Sequence, residues 1–510
     1  MENTSRINNV IRNMSFGILY RLMQTLVPFV MRTVLIYCLS IEYVGLSSLF
    51  TSVLQVLNFA ELGISSAMNY AMYKPVAEKD EEKICALLHV YKKYYFYIGL
   101  VILTAGIALM PFLPYLVNKD VPSDINIYVL YSLYLIQNVL SYWLFSYRGS
   151  LLEAHQRNDI YSKISLVLDL IKVVLQLIVL FVYHNYYAYI IIQLLPQVAY
   201  QFVMCYYVKK LYPNYKPKGE LPKEDKQVIK QRVKDIVTSK LGGVILNSSD
   251  TVVISAFLGL SALAIYQNYY FLISAVISMV GTALIGATAS IGNSIVLESK
   301  EKNFKDFKDF TFILSWITCV CTCCFLCLFQ PFMEIWMGKD RMLDFSIVIL
   351  LCIYYYMYEF NQLFNIYKDA AGLWHEDRWR PLITSLTNLT LNLIMVQFIG
   401  FYGVILSTVL SMLFVGMPWL LHNVFTCLFK TCMKEFLKRL FLYVVVAVGS
   451  CFGAYALCEF IHFHPIISLM VKLVIAVTVP SLVYFVCFFK TQEFYKLFEI
   501  VKRMLKVSSK

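Results

Sequence analysis

Charge is what this chain has least of. Asp, Glu, Lys and Arg make up only 15% of its 510 residues, 59% are hydrophobic, and the mean hydropathy is +0.65. A soluble globular chain carries about 25% charged residues, so a soluble enzyme is excluded. No polar stretch is long enough to form a soluble domain. The longest, Lys209 to Asp235, is a Lys-rich segment that cannot bury a core. No Gly-Lys-Ser or Gly-Lys-Thr phosphate loop occurs, which leaves ATP hydrolysis without support. Trp374-His375-Glu376 lacks the second His of a zinc protease motif, and His462 and His464 flank Phe463 beside Pro465 in a turn. Both read as loop residues. The polar, basic segment from Met1 to Asn13 leads into a long apolar run with charges inside it, which does not match a cleavable signal peptide.

Cysteine is not scarce, but its placement is apolar. Five of the fourteen cysteines crowd between Cys319 and Cys327 with no His or carboxylate among them, so a metal site is not expected and they read as small hydrophobes.

What fills the chain is apolar runs, each near the roughly 20 residues that span a bilayer core. They fall at about 14 to 38, 43 to 70, 94 to 117, 125 to 147, 164 to 182 and 188 to 208, then 236 to 258, 264 to 296, 310 to 330, 345 to 366, 382 to 399 and 402 to 424. A last pair lies at about 439 to 460 and 466 to 489. The expected fold is an all-α polytopic membrane protein of about 14 transmembrane helices. Its segments are a six-helix bundle (1–208), a basic cytoplasmic linker (209–235), a second six-helix bundle (236–424), a terminal helix pair (425–489) and an amphipathic tail (490–510).

Positively charged loops stay cytoplasmic, and alternate breaks here segregate charge. One set carries Lys74 to Lys93, Arg148 to Lys163, nine cations from Lys209 to Lys234, Lys300 to Lys308, Lys368 to Arg380 and Lys430 to Arg439. The other holds only Lys119, Lys339 and Arg341. Both termini are therefore expected in the cytoplasm. The net charge of +12 is a topology signal and calls for no nucleic-acid partner.

Cations inside spans are costly and usually face a cavity or a partner. Arg21 and Arg32 lie three helical turns apart, about 20° from eclipsed at 100° per residue, with Gln24, Thr25 and Pro28 on the same face. The plainer alternative has Arg21 snorkelling and Arg32 paired with a neighbouring helix. Lys240, Asn247 and Thr251 repeat the offsets of Arg21, Pro28 and Arg32, so each half opens with a cation-bearing polar stripe. Asn58 belongs to a polar face of the second span with Thr51, Gln55, Ser65 and Asn69. Glu61 and Asp250 sit about 80° off their stripes by the same arithmetic; a structural salt bridge or a Na⁺ or H⁺ coupling role fits either. Lys172 follows Asp169 by one turn, which reads as a local ion pair. Lys472 reads as snorkelling.

Pro28-Phe29 with Arg32-Thr33, Tyr43-Val44-Gly45-Leu46, Leu49-Phe50, Ala60-Glu61-Leu62-Gly63, Ser66-Ala67 and Tyr73-Lys74-Pro75 form one string. Ala370-Ala371-Gly372-Leu373-Trp374 with Asp377-Arg378, Pro381, Asn388, Gly400 and Gly403 forms another, and Ile265 to Tyr270 a third. These stretches resemble the Wzx-type polysaccharide flippases of the multidrug/oligosaccharidyl-lipid/polysaccharide exporter superfamily. The resemblance implies two pseudo-twofold-related bundles with a cavity between them. It further implies an undecaprenyl-pyrophosphate-linked oligosaccharide as substrate, turned from the inner to the outer leaflet of a bacterial cytoplasmic membrane for capsule, O-antigen or exopolysaccharide. Membrane lipid and the polysaccharide polymerase and chain-length machinery would be its partners, with no cofactor beyond a coupling ion. Arg21, Arg32 and Lys240 fit the pyrophosphate, and Gln24, Asn58 and Asn247 the remaining substrate contacts. A multidrug exporter of the same superfamily is the competing reading, but its cation cargo would ask for carboxylates where the first helix has arginines. A membrane-embedded polymerase or ligase would need a large outer loop, and the longest, Pro331 to Asp344, is short.

The charge pattern yields a direct topology test. A phosphatase reporter fused after Lys339 should be active from the outer face, and one fused after Lys210 should be inactive.

Overall fold

The computed structural model of the chain describes residues 23–24, 26–61, 64–117 and 120–496. Among these, regular structure is entirely helical. Nearly continuous apolar sequence leaves no face for water, and in a bilayer only helices or closed barrels satisfy every backbone donor and acceptor. Packing divides the chain into two compact units, with the boundary in the sequence between Ala264 and Ile265.

The first unit contains α1 (Leu26–Cys38), α2 (Ile41–Leu57), α3 (Ile64–Glu78), α4 (Glu81–Leu109), α5 (Ile127–Trp143), α6 (Asn158–Ile178), α7 (Tyr186–Leu211) and α8 (Lys223–Leu258). α9 (Leu260–Leu297) begins in it and belongs mostly to the second. The second unit continues with α10 (Lys300–Met337), α11 (Phe345–Ala370), α12 (Arg380–Ser411), α13 (Lys434–Glu459) and α14 (Pro465–Phe488). Among the described residues, ten helical stretches can cross a membrane by length and composition, or eleven if α5 and the bent helix after it count as one span. The first apolar run falls on the shorter helix α1 and begins outside the described residues, and the second, 43–70, is divided between α2 and α3 by a turn at Asn58–Glu61.

Two boundaries differ from expectation for local reasons. The helix carrying the run 236–258 starts at Lys223, because Glu224 and Asp225 suit the positive end of the helix dipole and Pro222 ends the preceding loop. That extension is held to the first unit by Lys83 and Asp225, 2.8 Å apart. The runs 382–399 and 402–424 follow one another with no loop between them, as two helical arms that meet at a kink at Gly400 (φ 55°, ψ −127°). A side chain disfavours that conformation. Close behind it, a Cβ on Gly403 would sit 2.5 Å from the Met395 carbonyl.

Caps close the exposed helix ends. The side chains of Asp80, Asn126, Asn185 and Ser299 accept from backbone N–H groups at the starts of α4, α5, α7 and α10. Gly45 marks where α2 passes the α8–α9 turn, since a Cβ there would lie 2.4 Å from the Leu260 carbonyl oxygen. In the second unit Phe307 anchors an aromatic core, with Tyr367 at 4.7 Å and Phe429 and Phe436 at 5.0 Å between ring centres. The terminal pair packs here as well. Cys319, Cys323 and Cys327 share one buried face of α10 with Ala447, Ala454 and Cys458 of α13, and the Cys323 and Cys451 sulfurs touch at 3.4 Å. The cysteine run therefore works as small side chains that let two helices approach.

At the turn before α12, Asp377 pairs with Arg380 and not with the adjacent Arg378. Asp377 is held in a fork by Arg380, at 2.6 and 2.8 Å, while Arg378 stays at the surface. Arg380 also donates to Asn365 at 2.7 Å, and Lys368 approaches Asp377 at 3.5 Å. Asp377 and Arg380 are both buried. The first described residues of the tail pack on the same unit: Lys496 donates to Asp306 and Asp309, and Phe494 stacks on Trp316. The rest of the expected amphipathic tail lies outside the described residues.

Removing one member of a buried, forked ion pair leaves the other uncompensated, at a cost of about 3–5 kcal/mol. Asp377→Ala should therefore lower the unfolding temperature of the purified protein sharply, whereas Arg378→Ala should leave it nearly unchanged. Gly45→Ala should cost about 1–3 kcal/mol by overpacking, read in the same thermal assay.

Candidate functional site

The first unit is hollowed where mid-helix polar residues converge. One cavity of about 240 Å³ lies among α5, α6 and α7, lined by Gln137, Ser165, Asp169, Lys172, Gln193 and Gln197 together with Tyr161 and Tyr200. A second, of about 200 Å³, is lined by Ser65 and Asn69 of α3, Tyr91 and Tyr95 of α4, Ser146, and Glu153. Tyr161 and Tyr200 border both and meet edge to face at 5.6 Å. The two cavities are thus neighbours across one aromatic pair.

The polar groups in them hold each other in place. Lys172 Nζ donates to Asp169 Oδ1 at 2.6 Å, as the one-turn spacing implies. Gln137 Nε2 donates to Gln197 Oε1 at 2.9 Å, and Gln197 Nε2 returns a bond to the Gln137 carbonyl at 3.2 Å. Gln201 Nε2 donates to Ser146 Oγ at 2.9 Å, and Asn69 Nδ2 donates to Glu153 Oε2. Such side chains would be expensive against lipid, so their convergence on cavities is what makes them tolerable there. Amides and hydroxyls both donate and accept, and tyrosine rings add flat apolar faces. That combination suits a ligand with many hydroxyls on a ring, with one ion pair as the charged element.

The residues singled out from sequence are distributed around this region. Asn58 accepts a bond from Asn138 Nδ2 at 2.8 Å in the turn after α2. Glu61, in the same turn, is half-buried and shares its electrostatic surroundings with Tyr91, Tyr95 and Tyr142. Ser65 and Asn69 of the expected polar face line the second cavity, whereas Thr51 and Gln55 of that face are exposed. Arg32 is half-buried on α1 with the Tyr189 hydroxyl as its electrostatic neighbour. Tyr189 stacks on Tyr186, which joins Tyr134 and the Tyr43 carbonyl; Tyr43 in turn donates to Asp124 at 2.6 Å. Gln24 is exposed and Asp250 half-buried, each with interactions of its own. Arg21 and Thr25 lie outside the described residues. Lys240 and Asn247 are on α8, with side chains outside those described.

Gln137, Gln193, Gln197, Tyr161 and Tyr200 were not singled out from sequence. Gln193, Gln197 and Tyr200 share a face of α7 at helical spacing, a signal the sequence did carry, whereas Gln137 of α5 and Tyr161 of α6 join them only through the packing of three helices.

The model of the polysaccharide biosynthesis protein family matches residues 10–289, more than half the chain. The chain belongs to that family. The family's flippases are transporters of the multidrug/oligosaccharidyl-lipid/polysaccharide superfamily, as the sequence resemblance implied, and the fold agrees. The inward-facing multidrug resistance MATE family transporter aligns with a TM-score of 0.64 at 14% identity, covering 82% of this chain and 99% of its own. The inward closed lipid II flippase MurJ aligns at 0.62 and 17%, covering 92% and 98%. A superfamily transporter from Pyrococcus furiosus, described as having a binding pocket of reversed polarity, aligns at 0.50 and 13%, covering 83% and 95%. No curated protein matches the chain. A polysaccharide biosynthesis family transporter with a cavity rich in amides and hydroxyls thus joins family and chemistry in one unit.

If the ion pair contributes to transport beyond holding the helices, the paired replacement Asp169→Leu with Lys172→Leu separates the two roles. Stability should stay within about 1 kcal/mol, because the pair lies within one helix with both side chains partly exposed, where such a pair is worth about 0–1 kcal/mol. Transport, measured in the same strain, should fall.

Proposed function

We propose that this transporter turns an undecaprenyl-pyrophosphate-linked oligosaccharide from the inner to the outer leaflet of a bacterial cytoplasmic membrane by alternating access, supplying a cell-surface polysaccharide. The observation that carries the reading is family membership combined with a first unit hollowed by amides, hydroxyls and paired tyrosines. Cations suit the other end of such a substrate. Arg21, Arg32 and Lys240 meet the pyrophosphate, the arginines by their planar fork, which binds phosphate oxygens bidentately. Gln24, Asn58 and Asn247 serve the rest of the substrate, and Tyr161 and Tyr200 offer faces for a sugar ring. Glu61 and Asp250 are the acids assigned to a coupling ion. The lipid tail stays in the bilayer, and both termini of the protein stay in the cytoplasm.

An inside-negative potential assists this direction. Outward movement of anionic charge gains about 2.3 kcal/mol per charge per 100 mV, so part of the driving force comes from the field itself. Polysaccharide polymerase and chain-length proteins would receive the product on the outer side.

Deleting the gene should leave lipid-linked oligosaccharide on the inner leaflet, and Arg32→Ala should reproduce that accumulation. A charge-assisted bond is worth about 1.5–3 kcal/mol, so loss of one should slow transport by about tenfold to a hundredfold. Normal surface polysaccharide in cells carrying both Arg21→Ala and Arg32→Ala would overturn the pyrophosphate assignment. Retained transport with Tyr161→Ala plus Tyr200→Ala would remove the cavity from the sugar path.

A further inference from the structure

The spans of the second unit are almost free of charge. No Asp, Glu, Lys or Arg occurs in 265–297, 310–333, 381–429 or 440–458, and α14 contributes Lys472 alone. Within the apolar part of α11 there is one acid, Glu359, at the middle of the helix. It is fully buried, and neither carboxyl oxygen has a hydrogen-bond partner. Its titratable neighbours are Tyr355 and Tyr358 on its own helix and Cys321 on α10. The Tyr355 hydroxyl is itself buried and unpartnered. Among the described residues, no Lys, Arg or His of α9, α10, α12 or the 412–429 stretch that follows it pairs with Glu359. The one titratable residue of 412–429 besides Cys427 is His422, which is exposed.

An ionised carboxylate enclosed in this way would have neither water nor a counter-charge. The group is therefore a neutral acid here. A neutral acid still has an O–H to donate and an oxygen to accept, and both are idle in an otherwise well-packed core. Leaving them so is costly, and such a group calls for a reason. A leucine or phenylalanine would fill the same space without the penalty. Acids at this depth are functional by default.

We infer that Glu359 is a proton-binding site of the second unit: it holds a proton in the conformation described and releases it in a conformation that admits water to α11. The carboxyl O–H bond breaks on release, the proton passes to water, and the carboxylate regains the proton from water when the unit closes. The inference rests on the chain being a transporter and not on the identity of its cargo. It places proton exchange in the second unit, away from Glu61 and Asp250.

Infrared difference spectroscopy of the purified full-length protein in liposomes tests this without any cargo. The wild-type protein should show a neutral carboxylic acid band that bleaches reversibly as pH rises, with a matching gain of carboxylate signal. Glu359→Gln should abolish that band, and Glu359→Asp should shift it. The Asp variant keeps the test decisive if the Gln variant does not fold. A band unchanged in either variant overturns the inference, as does a Glu359 band that persists at every pH, which would mark a purely structural acid. Repeating the titration in sodium chloride and in choline chloride separates the proton from a metal cation: bleaching by Na⁺ at fixed pH would also overturn it.

Discussion

In hydrocarbon a polar group has nothing to bond to except the protein, and this constraint orders the whole molecule. It forces the backbone into helices, because only there does every amide find a partner within its own segment. It also decides the fate of each polar side chain on those helices. Lys172 is tolerable because Asp169 lies one turn away. Gln137 and Gln197 hydrogen-bond to one another across two helices. Thr33, Ser132, Thr311 and Thr322 fold back onto carbonyls of their own helices. Where several such residues converge without filling the space, a cavity results, and a cavity lined this way accepts hydroxyl-rich ligands more readily than apolar ones.

Most of the helical ladder was legible because hydrophobic run length and loop charge are one-dimensional signals. Helix ends followed local chemistry that a hydropathy reading smooths over. Glu224 and Asp225 start α8 thirteen residues before the apolar run, and Gly400 sets a kink between two helical arms that have no loop between them. The partner of Asp377 follows from helix geometry. Neighbouring residues on a helix do not face each other, whereas residues three apart do, so Asp377 meets Arg380 and not Arg378.

The site was legible only where one helix carried the pattern. Ser65 and Asn69 share a face of α3, and both line a cavity. Asp169 and Lys172 declare themselves by spacing. The amides of α7 form such a stripe too, Gln193, Gln197 and Gln201 at four-residue spacing, but Gln137 of α5 joins them only through packing. Glu359 escaped notice for the opposite reason. It stands alone among tyrosines, with no stripe to belong to, and only its burial and its unused oxygens distinguish it.

The two units use the same constraint in opposite ways. The first unit spreads its polarity over many weak donors and acceptors, which suits a ligand recognised at many points and released without a deep energy well. The second is dominated by interlocked rings around Phe307 and by the cysteine-lined contact of α10 with α13, with charge nearly excluded from its apolar spans. In so apolar a setting a single acid has a large effect, because the difference between its charged and neutral forms is not diluted by neighbouring dipoles. A transporter needs both properties: a surface that holds cargo loosely, and an element whose preferred packing changes when one proton arrives or leaves. Glu359 suits the second task because the middle of its own helix carries no other charge and its carboxyl is fully buried.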